Sequence, residues 1–170
     1  MPENRENKKE EKREAYKNQP FSFVKGGKHT DDGEIESHLE VEANMISLRK
    51  KKEIEKSLAN FEDKAHFLRS SISLAKLATY CKTNIKYLSY YINKYKGVNF
   101  NHYINELRVN YLLEKLKEDP MLRRSKMSKL AKIGGFSSQN KFSTIFKEFT
   151  DMTPSAYIKK LNKEEEQGND

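Results

Sequence analysis

Four histidines and one cysteine are the side chains of this 170-residue sequence best suited to hold a metal or activate a nucleophile. His29, His38, His66, His102 and Cys81 are scattered along the chain without the short, repeated spacings that close a metal site. Gly27-Lys28 is followed by His29 and lacks the upstream glycine of a phosphate-binding loop. No Gly-x-Ser-x-Gly elbow is present to expose a serine nucleophile. His102 and Glu106 lie one helical turn apart, a spacing that reads as a surface pair rather than an acid/base couple. The residues therefore predict no catalytic site, no metal and no cofactor. What they do offer is positive charge.

The chain carries 33 Lys+Arg against 25 Asp+Glu, for a formal net charge of +8 and a pI near 9.3. That charge is unevenly placed. Residues 1–70 hold 15 basic and 15 acidic side chains, whereas residues 71–162 hold 17 basic and 6 acidic. The last eight residues, KEEEQGND, are acidic. Positive charge concentrated where the apolar periodicity is clearest is the electrostatic footprint of a polyanion binder. Charge alone does not separate that from lysine-rich helices that are merely solvated.

Composition bounds the rest. The length suits one small domain with tails, and a mean hydropathy of −0.96 predicts that part of the chain stays disordered. No apolar run approaches the roughly 18 residues of a membrane span, and the first twenty residues are too polar for a secretory signal. One cysteine excludes an internal disulfide and fits a reducing compartment, so the expected location is cytoplasmic.

The elements follow from periodicity and punctuation. Residues 1–45 read as a charged, disordered segment, with Phe21, Phe23 and Val24 a short apolar island. Within 46–68, Ile54, Leu58, Phe61, Ala65 and Leu68 form one stripe of an amphipathic helix over 48–68. Ser73 caps a helix over 74–81, and Asn84 caps a second over 85–96 that Gly97 ends. A long helix over about 101–117 follows, ending before Pro120. Ser125 opens a short helix through Ile133, which stops at Gly134-Gly135. Ser137 or Ser138 opens the next, burying Phe142, Phe146 and Phe149, and Thr153-Pro154 starts a last helix to about Leu161. No segment alternates as a strand would. The fold class is all-α.

Two stretches repeat. LAKLATYCKTN (74–84) aligns with MSKLAKIGGFS (127–137), pairing Lys76-Leu77-Ala78 with Lys129-Leu130-Ala131. Ala78 and Ala131 are small where a second helix must cross. The spacings from Ile92 to Gly97 to Tyr103 recur from Phe146 to Asp151 to Tyr157. The register slips by one residue, a slip expected inside the second recognition-type helix. Short helix, tight turn and capped longer helix, twice over, is a tandem helix-turn-helix pattern at about 74–96 and 127–149. In each copy the second helix buries one stripe (Leu88 and Ile92; Phe142 and Phe146) and leaves a polar stripe suited to a major groove.

These residues resemble the DNA-binding domain of the AraC/XylS family of bacterial transcription regulators. KLAKIGGFSSQNKFSTIFKEFTDMTPSAYIKK (129–160) is similar to the family signature of Ala, Gly-Phe, Phe-Ser, Phe-Lys and Thr-Pro followed by an aromatic. NIKYLSYYINKYKGVNFNHYINELR (84–108) is similar to its Leu-Ser, Lys-x-x-Gly, aromatic and Leu-Arg series, and the resemblance covers about 64–162. Departures are Lys82 in place of the usual turn Gly, Ile92 for Phe, Asp151 for Gly and Ile158 for Arg. Lys82 predicts a wider or strained first turn, whereas Asp151 tolerates the left-handed conformation.

The resemblance implies two helix-turn-helix units joined by a long linker helix, within a DNA-binding domain at 69–162, with 163–170 an acidic tail. It implies recognition helices in successive major grooves about 34 Å apart. Carried over by position, the base contacts are Lys86, Ser89 and Tyr90 in the first unit and Gln139, Asn140, Ser143 and Thr144 in the second. Lys suits guanine O6 and N7, Gln and Asn suit adenine, and Tyr90 suits stacking or a thymine methyl. Lys94, Lys96, Lys141 and Lys147 suit phosphates, which set affinity without sequence. Leu77, Leu88, Leu130, Phe142 and Phe146 are assigned to the core. The expected partner is double-stranded DNA, with RNA polymerase the partner that an activator of this type would contact, and no small-molecule effector or membrane. The alternatives are a basic architectural protein that coats nucleic acid without sequence choice, a helical protein-interaction module, and the isolated output domain of a longer receptor-type regulator.

Overall fold

The computed structural model describes residues 48–167. The expected disordered segment 1–45, with Phe21, Phe23, Val24, Gly27-Lys28, His29 and His38, lies outside them. Among the described residues every regular element is helical: α1 (Leu48–Asp63), a 3-10 turn (His66–Leu68), α2 (Leu74–Tyr80), α3 (Ile85–Tyr91) continued by a π turn (Ile92–Lys96), α4 (Phe100–Glu118), α5 (Pro120–Arg123), α6 (Met127–Ile133), α7 (Gln139–Thr150) and α8 (Pro154–Gln167). They form two units. One holds Ser73–Phe100 with the described part of α1 up to Ala59, and the other holds Asn60–Ile72 with the described residues from Asn101 onward.

In the first unit α2 and α3 are the expected helix-turn-helix. Ser73 Oγ accepts from the Lys76 amide at 3.3 Å and Asn84 Oδ1 from the Tyr87 amide at 2.8 Å, each supplying a free helix-start donor with a partner. Leu77, Ala78, Leu88, Tyr91 and Ile92 are buried, as are Ile54 and Leu58 of α1. The turn is not widened by Lys82. Cys81 N bonds Leu77 O, Lys82 N bonds Thr79 O and Thr83 N bonds Ala78 O, at 2.9, 3.1 and 3.0 Å. Lys82 does take the left-handed conformation, with φ 51°, and the Lys50 ammonium donates to its carbonyl at 2.8 Å. A side chain in that region costs energy that glycine avoids, in part offset by glycine's greater freedom when unfolded. Lys82→Gly is therefore expected to stabilise the chain by about 0.5–1 kcal/mol, read as a higher urea midpoint. Gly97, at φ 69°, ends the π turn as the sequence predicts. The expected single α-helix to Lys96 gives way at Ile92 to wider π hydrogen bonding.

The second unit repeats the arrangement on α6 and α7. Gly134 N bonds Leu130 O, Gly135 N bonds Lys132 O and Phe136 N bonds Ala131 O, at 2.9, 3.1 and 2.9 Å, the same three bonds as in the first turn. Ser138, not Ser137, caps α7, its Oγ accepting from the Lys141 amide at 3.2 Å. The extra residue is thus Ser137, and the one-residue slip falls in the turn rather than inside the recognition helix. The core is Val109, Leu112 and Leu116 of α4 with Leu130, Ala131, Phe136, Phe142, Ile145, Phe146 and Ile158. α4 is therefore not only a connector, since its apolar residues build this core.

Four boundaries differ from those expected. α1 stops at Asp63 and Ala65 turns left-handed, because Phe61 and Phe67 could not share one face of a continuous helix. With the chain reversed, Phe67 stands edge-on to both Phe61 and Tyr111, with centroids 6.4 and 6.2 Å away. Ser125 does not open α6, whose cap position is Lys126 with no side-chain bond. Asp119 instead caps the four-residue α5, accepting from the Met121 and Leu122 amides at 2.9 and 3.1 Å. α8 runs beyond Leu161 to Gln167. Its acidic end is held by Arg123, which bonds Glu165 and Asn162 while donating to the Leu116 and Lys117 carbonyls at the end of α4.

Candidate nucleic-acid interface

With Asn84 and Ser138 as matched caps, the two recognition helices can be compared position by position. The second, fifth and sixth residues after the cap are Lys86, Ser89 and Tyr90 in α3, and Asn140, Ser143 and Thr144 in α7. Such spacing puts three side chains on one face of a helix. Lys86, Asn140 and Thr144 are exposed, and Ser89, Tyr90 and Ser143 are half-buried. The fourth residue after each cap, Leu88 or Phe142, is fully buried on the opposite side. Each helix thus splits into a packed stripe and a polar stripe, and the six residues expected to contact bases fall on equivalent polar positions. Gln139, the seventh, is exposed at the first position of α7.

The expected phosphate contacts do not match in this way. Lys94 and Lys96 sit in the π turn after α3, whereas Lys141 and Lys147 sit on the first and third turns of α7. All four are exposed. The first unit adds a basic neighbour that the sequence did not single out: Lys51 of α1 lies 4.0 Å over the exposed Tyr95 ring, next to Lys96 in the chain. Neither helix carries an acidic residue in its first turn, although carboxylates stabilise helix starts. Neither start therefore sets a carboxylate against an approaching anion.

Two arginines of the basic segment turn inward instead. Arg108 is buried, its Nε donating to Phe67 O at 2.8 Å and its Nη2 to Arg69 O at 3.0 Å, with the guanidinium over the Phe136 ring. Burial lowers its pKa. Arg123 is likewise buried and committed to carbonyls and Glu165. Neither belongs to the interface, so part of the positive excess holds the fold. The only hint in the sequence was Arg108 in the Leu-Arg pair of the resembled series.

The remaining polar candidates are placed just as plainly. Ile158, where the resembled family commonly has Arg, is buried in the second core. His102 lies tilted against Phe149 with centroids 4.7 Å apart, and His66 meets the Phe61 ring edge-on. Cys81 is buried, and desolvation pushes its thiol up to about 11, which keeps it protonated and unreactive at neutral pH. No helix among the described residues is long and apolar enough to cross a membrane.

Two capped helix-turn-helix units, each turning a polar stripe outward, define a helix-turn-helix protein of the nucleic-acid-binding class. Residues 77–160 match the family model described as a helix-turn-helix domain. An uncharacterized HTH-type transcriptional regulator of Staphylococcus aureus (strain COL) is 33% identical over 92 residues, which are 54% of this chain and 12% of that protein. The chain thus matches only a small part of the length of such curated relatives. Among solved structures, the C-terminal domain of the two-component response regulator yesN of Fusobacterium nucleatum aligns with a TM-score of 0.51 and 26% identity, over 61% of this chain and 96% of that one. A transcriptional regulator with an AraC-type DNA-binding domain from Chromobacterium violaceum shares the fold, at a TM-score of 0.54 and 19% identity over 65% of this chain and 92% of that one. Residues 77–160 thus carry a helix-turn-helix domain, and the likeness to an AraC-type DNA-binding domain is one of fold.

Proposed function

We propose that this chain is a sequence-specific, DNA-binding transcription regulator that reads two half-sites with α3 and α7. Each recognition helix would enter a major groove, the two half-sites lying about 34 Å apart on one side of the duplex. The observation that carries this reading is the matched polar triplet. Two copies of a helix keep Lys86, Ser89 and Tyr90, or Asn140, Ser143 and Thr144, at equivalent outward positions. A charged coat that binds phosphate alone has no need of such register. Within this reading Lys86 addresses guanine, Gln139 and Asn140 address adenine, and Ser89, Tyr90, Ser143 and Thr144 fit the groove edges around them. Lys94, Lys96, Lys141 and Lys147 lie against phosphates. The chain works in the cytoplasm, and its effect on transcription runs through contact with RNA polymerase. Its match to a short part of longer HTH-type regulators fits an output domain as well as a regulator acting alone.

Two single substitutions separate readout from charge. Gln139→Ala is expected to weaken the cognate site by about 1–3 kcal/mol and to relax preference at one base pair. Lys147→Ala is expected to weaken all duplexes alike and lower the salt slope by about one. Equal, sequence-independent losses in both variants of the full chain, measured by fluorescence anisotropy across a salt series, would favour the architectural alternative instead.

A further inference from the structure

The matched caps expose a position at which an apolar side chain of one recognition helix stands where the other has an amide. The first residue after the cap is Gln139 in α7 and Ile85 in α3. Ile85 is 50% exposed, one of four large apolar side chains exposed among the described residues. Of these, only Ile85 lies at the start of a recognition helix. It precedes Ser89 by four residues, so the two side chains share one face, with Lys86 beside them. A β-branched residue gains nothing there from helix propensity, and half of its surface stays in water.

Isoleucine has no donor or acceptor. On the floor of a major groove its one favourable neighbour is the thymine C5 methyl, the apolar group by which thymine differs from cytosine. Against the cytosine amino group it would cover a donor and return no hydrogen bond. Gln139, at the equivalent position of the second unit, pairs instead with adenine N6 and N7. We infer that Ile85 reads a thymine methyl group in the first half-site. The inference rests on the sequence-specific reading above and adds a residue to it.

The test uses the full chain and the duplex it selects from a random library. Each thymine of the half-site whose readout Gln139→Ala leaves unchanged is replaced in turn by deoxyuridine, which removes only the methyl. One replacement is expected to weaken binding on the order of fourfold, the effect of one methyl group's burial. Ile85→Ala is expected to bind the thymine and uracil duplexes alike at that position, whereas Ile85→Val, which keeps an apolar branched side chain, retains the difference. A half-site without thymine, a parent protein indifferent to every methyl, or an Ile85→Ala variant that keeps the parental thymine preference would each overturn the inference. The deoxyuridine scan needs no variant, so misfolding of Ile85→Ala cannot mask the outcome. A chain that selects no sequence at all overturns the sequence-specific reading itself, and this inference with it.

Discussion

Phe142→Ala is expected to remove about 3–5 kcal/mol of folding stability, the usual cost of deleting a fully buried aromatic ring. Phe142 has no exposed surface, and it lies between Phe136 and Phe146, with centroids 5.4 and 5.6 Å away. Phe146 in turn stands edge-on to Tyr157 at 5.6 Å. Aromatic rings set against one another collapse poorly into the space a lost neighbour leaves. Phe142 also belongs to the buried stripe of α7, with Ile145 and Phe146. On the sequence-specific reading proposed above, the variant is expected also to lose the base preference assigned to α7. Urea unfolding measures the energy, and a loss below about 1 kcal/mol would mean that the ring cluster does not pack as described.

The second large effect is a single methyl group. Gly135→Ala is expected to destabilise the chain by about 2–4 kcal/mol, combining left-handed strain with a clash that side-chain motion cannot relieve. Gly135 has φ 73°, and a Cβ built on it runs into the Leu68 carbonyl, which is backbone. Lys82 occupies the same place in the first turn, with the same three hydrogen bonds, and carries a long exposed side chain. Glycine is thus needed in the second turn for space, whereas in the first only the backbone conformation favours it. Paired urea melts should shift in opposite directions, upward for Lys82→Gly and downward for Gly135→Ala. A neutral Gly135→Ala would contradict the close approach at Leu68.

That contrast also explains which features could be read from the sequence. Local devices were legible because their chemistry is local. Ser73, Asn84, Gly97 and Thr153-Pro154 stand at helix ends as their residue types require. Asp151 adopts the left-handed conformation at φ 60° that an Asp in place of Gly tolerates. Leu77, Leu88, Leu130, Phe142 and Phe146 are buried because helical periodicity gives them no other face. The polar stripes followed from the same periodicity, and the structure places six expected base contacts in matched register.

Features decided across long stretches of chain were not legible. Past the end of α1, Phe67 packs edge-on against Phe61 and Tyr111, the latter 44 residues further on. Arg108 and Arg123 reach partners up to 42 residues away, and nothing in their residue type separates them from surface arginines. The end of α8 turns acidic and offers the helix no favourable charge of its own, and the Arg123 contact to Glu165 comes from 42 residues away. The residue types do not place the slip between the repeats, because Ser137 and Ser138 are chemically alike, and only the hydrogen bond to the Lys141 amide picks the cap.

The proposal that both helix-turn-helix units read DNA sequence is open to one decisive experiment, sequencing the duplexes that the purified chain retains from a random library at moderate salt. A bipartite motif whose two unlike half-sites lie about one helical turn apart is expected. Tight, salt-steep binding with no enriched sequence would contradict it.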